Sequence, residues 1–377
     1  MTTQNVDMMY YIKETPAQVQ YCLDNRKQLT KPLVDRFVGN PRNITVVACG
    51  SSSNGTHLAR RFMMETLGVN VKVVTPYTFT HYEAKYSVND LVVCVSQSGC
   101  STNTIDALRK CKELGIETIG ITGNTETSDF VTEADVLVDW GVQEETVGYV
   151  TKGVVTLGVF FDLFAAEAAL ATNRISEDRY QCILAQIKRT TELHPIMVSE
   201  FDRIYKANAK TFLSMQNMFA VGCGANMGTI MEAALKISET VTIPAVCYEV
   251  DEYIHGPNLQ LTPNYTVIFV DGTDEPSKRV VQAYHATHDV TDHTFIITND
   301  PSIDDSHALR IPFDIEESLT PLVNVVFFQL LAHTVSLALG SMESHPLMKT
   351  FNDKIKSKTE KWINHDDEMI RRQKMER

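Results

Sequence analysis

DLVVCVSQSGCSTNTIDALRKCKELG, residues 90–115, moves from one kind of structure to another within a few residues. Residues 91–95 are an apolar, β-branched run that reads as a buried strand. Ser96-Gln97-Ser98-Gly99 breaks that run. From Ser101 a Ser/Thr start leads into apolar positions at helical spacing, and Gly115 ends it. The same strand–turn–helix unit recurs on either side. ITVVACG (44–50) runs into a helical stretch ending near Gly68, and VKVVTP, ETIGIT and VLVDW are further strand-like runs before residue 141. Strands alternating with helices predict a parallel sheet covered on both faces.

The second half repeats the plan. MFAVGCG (218–224) reads as a strand and NMGTIMEAALKISETV as a helix. IPAVC, YTVIFVD and HTFIITND read as strands, with PSKRVVQAYHATH a helix between the last two. CGSSSNG and CGANMG stand 174 residues apart, and each half closes on a long, nearly uncharged helix, at 153–171 and 321–340. The expected architecture is therefore α/β, two copies of a doubly wound, flavodoxin-like domain. The boundaries read as an N-terminal helical segment at 1–33, one domain at 34–175, a second at 195–343, and a tail at 344–377. A linker is expected near 173–200, where the apolar pattern breaks. The tail is rich in Lys and Glu and reads as an exposed extension.

The chain has 377 residues with 34 Lys and Arg against 47 Asp and Glu, a formal charge of -13. That excess of acid argues against nucleic acid and anionic membranes as partners. The eight cysteines form no C-x-x-C pair, and several sit in strand-like runs as small apolar residues. Reduced thiols, no metal centre, no cofactor and a cytoplasmic location are expected. The N-terminus shows no signal-peptide pattern. Residues 318–342 carry no formal charge and are long enough to span a bilayer, but Asn324, Gln329 and His333 interrupt them, so a helix buried in protein is expected.

The turn after residue 95 is the richest in chemistry. A strand-to-helix turn in a parallel sheet lies at the carboxyl edge, where ligands bind. Ser96, Ser98, Ser101 and Thr102 bring hydroxyls to a helix N-terminus, whose N–H groups favour an anion, and Gly99 permits close approach. A plain helix cap needs one hydroxyl. Four within seven residues read as a phosphate cradle, which reconciles an anionic ligand with an acidic protein. The loop at 49–55 has the same form and is a candidate for another part of that ligand.

Glu232, Lys236 and Glu239 lie at i, i+4 and i+7, on one helix face, while Ile230, Ala234 and Ile237 lie off it. That spacing fits a solvated salt-bridged face or a functional stripe. His255-Gly256-Pro257 follows sixteen residues after Glu239, a rigid turn able to aim an imidazole.

Together these residues resemble the SIS-domain family of double-domain phosphosugar isomerases, in particular the isomerase half of glucosamine-6-phosphate synthase and the fructosamine-6-phosphate deglycases. The resemblance runs from about residue 10 to about residue 350. It is carried by Tyr11-Ile12-Lys13-Glu14, Cys49-Gly50-Ser51-Ser52, Ser96-Gln97-Ser98-Gly99, Thr151-Lys152, the helix with Ala234-Leu235-Lys236 and Glu239, His255-Gly256-Pro257, and the helix with Gln329 and His333. The resemblance implies two SIS domains. It implies that Ser96, Gln97, Ser98 and Ser101 hold a phosphate, and that Ser51, Ser52 and the backbone near Gly148 meet sugar hydroxyls. Glu239 would move a proton between C1 and C2. His255 would open the sugar ring, reaching into a neighbouring subunit's site, and Lys236 would support the site electrostatically. Lys354 is the candidate for a lysine that relatives bring in from the C-terminal region.

The sequence also departs from the family. No glutaminase segment with its cysteine nucleophile lies within these residues, so no ammonia-channelling synthase is expected. Cys100 stands where many relatives have an acidic residue, and Ser101 where many have Thr. The second domain has Val270-Asp271-Gly272 in place of the serine-rich turn, so no second sugar phosphate is expected there. The expected function is a deglycase or isomerase of 6-phosphorylated amino sugars, working as a homodimer or tetramer with shared sites. A simple aldose–ketose phosphate isomerase would use the same groups. A non-catalytic sugar-phosphate sensor is the alternative of another class.

Overall fold

A computed structural model describes residues 7–303, 306–342, 345 and 347–363. Parts of the expected end segments, at 1–6, 344, 346 and 364–377, lie outside the described residues. The chain divides into two compact units. One takes described residues 7–56, 63–181 and those from 345 onward; the other takes 57–62 and 182–342.

In the first unit, β1 (Ile44–Val47), β2 (Val71–Val74), β3 (Leu91–Val95), β4 (Ile119–Thr122) and β5 (Val136–Asp139) form one parallel sheet in the order β2-β1-β3-β4-β5. In the second, β6 (Met218–Gly222), β7 (Ala245–Glu249), β8 (Thr266–Val270), β9 (Thr294–Thr298) and β10 (Ala308–Arg310) form a parallel sheet in the order β10-β9-β8-β6-β7. The two orders are the same, so the repeat legible in the sequence is a repeat of topology. In this order the strand sequence reverses between the first and third strands of each sheet, and the turns after them flank a ligand crevice.

The longer helices follow from amphipathic or wholly apolar stretches. α1 (Met8–Gly39) starts at Asp7, whose carboxylate caps the Tyr10 N–H at 3.0 Å. α2 (Ser51–Leu67) and α3 (Thr102–Glu113) follow β1 and β3. α4 (Lys152–Ala171) is buried along nearly its whole length and packs on α1. α5 (Glu177–Leu213) fills most of the stretch expected as a linker. Its core stripe runs through Ile183, Ile187, Thr190, His194, Met197, Phe201 and Ile204, all buried. Thr190 and His194 are polar members of that stripe, which is why its apolar pattern looked broken.

In the second unit come α6 (Met227–Lys236), α7 (Val250–Ile254), α8 (Lys278–His288) and α9 (Pro321–Leu339). Among the described residues, α4 and α9 are the two helices long and apolar enough to cross a membrane, and most of each is enclosed by protein. The three-residue edge strand β10 has no counterpart in the sequence reading. α10 (Met348–Lys354) leads into a C-terminal segment that is largely exposed, as expected, but is docked rather than loose. It returns to the first unit and pairs with the turn before α3.

Candidate active site

The turn after β3 is held by its backbone. Gly99 adopts φ +61, and the Gly99 N–H donates to Ser96 O at 2.9 Å. A Cβ at Gly99 would meet Ser128 Oγ at 2.5 Å and Thr122 Oγ1 at 2.9 Å, so both the backbone angle and the space demand glycine. Ser101 occupies the cap position of α3, yet its hydroxyl makes no cap bond. Instead Ser96 Oγ donates to Ser101 Oγ at 3.0 Å. The plain N-cap reading is therefore not how these hydroxyls are used. The Thr102 N–H at the helix start is also occupied, by Ser357 O at 3.1 Å.

Lys358 reaches the same turn. Its Nζ lies 3.1 Å from Ser98 Oγ and 2.8 Å from Ser101 Oγ. Lys354, the candidate from this region, is exposed at the last position of α10. The lysine that arrives at the turn is Lys358, because the segment after α10 pairs with Ser101 in an antiparallel bridge. No local sequence pattern signals it. Burial pushes the Lys358 ammonium below its ordinary pKa.

Gln97 points to a different partner. Its Nε2 donates to Glu145 Oε2 at 2.7 Å. Glu145 also accepts from the N–H groups of Thr151 (2.8 Å), Lys152 (2.8 Å) and Gly153 (3.2 Å), so one carboxylate caps α4 and fixes Gln97. Burial outweighs these donors and raises the Glu145 pKa. Lys152 is buried and pairs with Glu14 of α1 at 2.7 Å. Tyr11 OH accepts the Thr146 N–H at 2.9 Å. The Tyr11–Glu14 and Thr151–Lys152 motifs, far apart in sequence, thus lock together beside the turn. Gly148 is exposed in this loop, and Ser51 and Ser52 are half-buried at the start of α2, on the neighbouring strand's turn.

In the second unit, Lys236 is 1% exposed and sits between Glu232, 0% exposed, at 3.2 Å and Glu239, 30% exposed, at 2.5 Å. Burial alone would lower the Lys236 pKa, but the two carboxylates outweigh it and hold the ammonium firmly charged. The face is therefore not a solvated salt-bridge stripe: the central lysine is in the core and only Glu239 reaches solvent. Helix α6 ends at Lys236, and Glu239 lies in a single π-turn, Ile237–Val241, closed by Thr242 at φ +62. Such wide turns often sit at functional positions.

His255 is exposed just after α7, with Nδ1 2.6 Å from Asp251 O. A carbonyl only accepts, so Nδ1 carries the proton and Nε2 is left as the acceptor in the neutral ring. The helices that lead to Glu239 and to His255 pack on opposite faces of the second sheet. Ile230 of α6 packs at Gly222 on one face of the sheet, while Val250 and Tyr253 of α7 pack with Phe219 and Val221 on the other. Opposite crossover directions from β6 to β7 and from β7 to β8 require this.

The second unit's counterpart of the serine-rich turn is acidic. Glu317 accepts from the Thr273 N–H at 2.5 Å and Thr273 Oγ1 at 2.9 Å, and Asn226 Nδ2 donates to it at 3.2 Å. Burial pushes the adjacent Asp271 carboxyl up to about 7. The protein's own carboxylates occupy the place an anion would need.

Residues 39–167 match the SIS domain family model. The chain is 24% identical over 351 residues to glutamine–fructose-6-phosphate aminotransferase [isomerizing] of Pseudomonas aeruginosa, covering 90% of this chain and 57% of that protein. It is 26% identical over 328 residues to the protein of that name from Yersinia pseudotuberculosis, covering 84% and 52%. The chain thus spans little more than half the length of these curated relatives. Among solved structures, the C-terminal domain of glucosamine-fructose-6-phosphate aminotransferase from Francisella tularensis superposes with a TM-score of 0.79 at 21% identity, covering 91% of this chain and 99% of that one. Tagatose-6-phosphate ketose/aldose isomerase from Escherichia coli gives 0.70 at 14%, covering 90% and 96%. A chain from Clostridium difficile 630 gives 0.84 at 22%, covering 93% and 99%. Residues 39–167 thus match the SIS domain, and the second unit repeats the parallel α/β strand order of the unit that contains them.

Proposed function

We propose that the protein acts on a 6-phosphorylated amino sugar, cleaving or isomerising it by proton transfer between C1 and C2. The observation that carries this reading is Glu239, a carboxylate open to solvent and held in place by the buried Lys236 ammonium. A fixed, accessible carboxylate is what proton abstraction beside a carbonyl or imine needs. The names of the relatives, an isomerising aminotransferase and a ketose/aldose isomerase, lie in the same chemistry.

In this reading Ser96, Gln97, Ser98 and Ser101 hold the phosphate, and Ser51, Ser52 and the Gly148 backbone meet the sugar hydroxyls. His255 of a neighbouring copy opens the ring through Nε2. Glu239 then takes the proton from C1 of a ketosamine and returns one at C2, leaving an imine at C1. Water adds to that carbon, the C–N bond breaks, and an amine and a hexose 6-phosphate leave. The site works in a homodimer or tetramer.

The test is purified protein with fructoselysine- and glucoselysine-type 6-phosphates. Release of amine and a hexose 6-phosphate is expected, and no turnover across such a panel contradicts the deglycase reading. A coupled assay on free hexose phosphates detects a plain aldose–ketose isomerase. Glu239→Gln is expected to abolish turnover while leaving ligand binding within about threefold, since the amide keeps the shape and loses the base. A sensor would show no turnover with either form.

A further inference from the structure

We propose that Lys358, delivered by the C-terminal segment, is the cationic residue of the phosphate site and binds the ligand's phosphate together with Ser98 and Ser101. This rests on the phosphate reading of the 96–101 turn. The segment is tied down at several points around Lys358. The Thr102 N–H donates to Ser357 O at 3.1 Å, and the Thr359 N–H donates to Cys100 O at 3.0 Å. Thr359 Oγ1 donates to Asp129 Oδ2 at 2.5 Å, and Lys361 Nζ lies 3.5 Å from Asp129 Oδ1. The ammonium is thereby set beside the turn.

The polarity of the cluster points to an anion. Lys358 finds two hydroxyls and no carboxylate among the described residues. A half-buried ammonium without a counter-charge is costly, and its lowered pKa reflects that. Ser101 Oγ accepts from Ser96 Oγ and from Lys358 Nζ. Ser98 Oγ accepts from Lys358 Nζ and from the Cys100 N–H at 3.3 Å. A hydroxyl that accepts twice has its own hydrogen left to donate. Two O–H groups and the third ammonium N–H therefore need an acceptor, and a phosphate supplies three oxygens and the missing charge.

Calorimetric titration with fructose 6-phosphate and with inorganic phosphate tests this in the full chain. Lys358→Met keeps the length of the side chain and removes the charge. It is expected to weaken both ligands about 10- to 100-fold, the range of one or two charge-assisted hydrogen bonds, with an unchanged melting temperature. Lys358→Arg, which keeps the charge, is expected to recover most of the affinity. Wild type that binds while Lys358→Met binds equally well overturns this inference and leaves the phosphate turn standing. Wild type that binds neither ligand overturns the phosphate reading, and this inference with it.

Discussion

Lys236 shows how one residue joins stability to chemistry. Its ammonium neutralises Glu232 in the core and positions Glu239 at the surface. Lys236→Met removes the ammonium from beside the buried Glu232 carboxylate. Breaking a buried pair from one side costs about 3–5 kcal/mol, so denaturant unfolding should show a loss of that order, together with lower turnover from a misplaced Glu239. An unchanged unfolding midpoint would contradict the core role. The helical spacing of Glu232, Lys236 and Glu239 was legible in the sequence. Which of them was buried was not, because i, i+4, i+7 spacing describes a face and not what covers it. The hydroxyls at 96–101 were legible as a cluster, but the use of Ser101 as a side-chain acceptor rather than a helix cap was not. Lys358 was out of reach, since its place depends on a strand-like pairing across more than 250 residues, and Lys354 was the plausible neighbour.

Among the elements, the strands were the most legible, because most of the parallel strands are buried on both faces and read as short apolar runs. Nine of them follow those runs, and β10, three residues at a sheet edge, lacks the length to show one. α5 was missed where polar Thr190 and His194 turn into the core. The π-turn after α6 had no signature in a sequence that reads as plain helix. The start of α4 carries a sharper constraint. A Cβ at Gly153 would stand 2.2 Å from Gln97 Oε1 and 2.8 Å from Glu145 Oε2. Gly153→Ala should therefore displace the Gln97 side chain from Glu145. The expected result is a folded protein, destabilised by about 1–3 kcal/mol from overpacking, with weaker hexose phosphate binding. Wild-type affinity in that variant would show that Gln97 plays no part in binding.

Across the whole molecule, the two units share one strand order but differ in what they carry: the serine-rich turn lies in the first, and Glu239 and His255 lie in the second. Each sheet has a crevice between its first and third strands, but in the second one Glu317 already accepts from the N–H and hydroxyl of Thr273. In the second unit Glu239 follows α6, packed on one face of the sheet, and His255 follows α7, packed on the other. If both serve one sugar, two copies of the chain must meet. Mixing inactive Glu239→Gln protein with inactive His255→Asn protein, after subunit exchange, tests this most directly. Random dimers regain one intact site in each mixed pair, so activity should return to about a quarter of wild type. A mixture that stays as inactive as its two parents would contradict a site shared between copies.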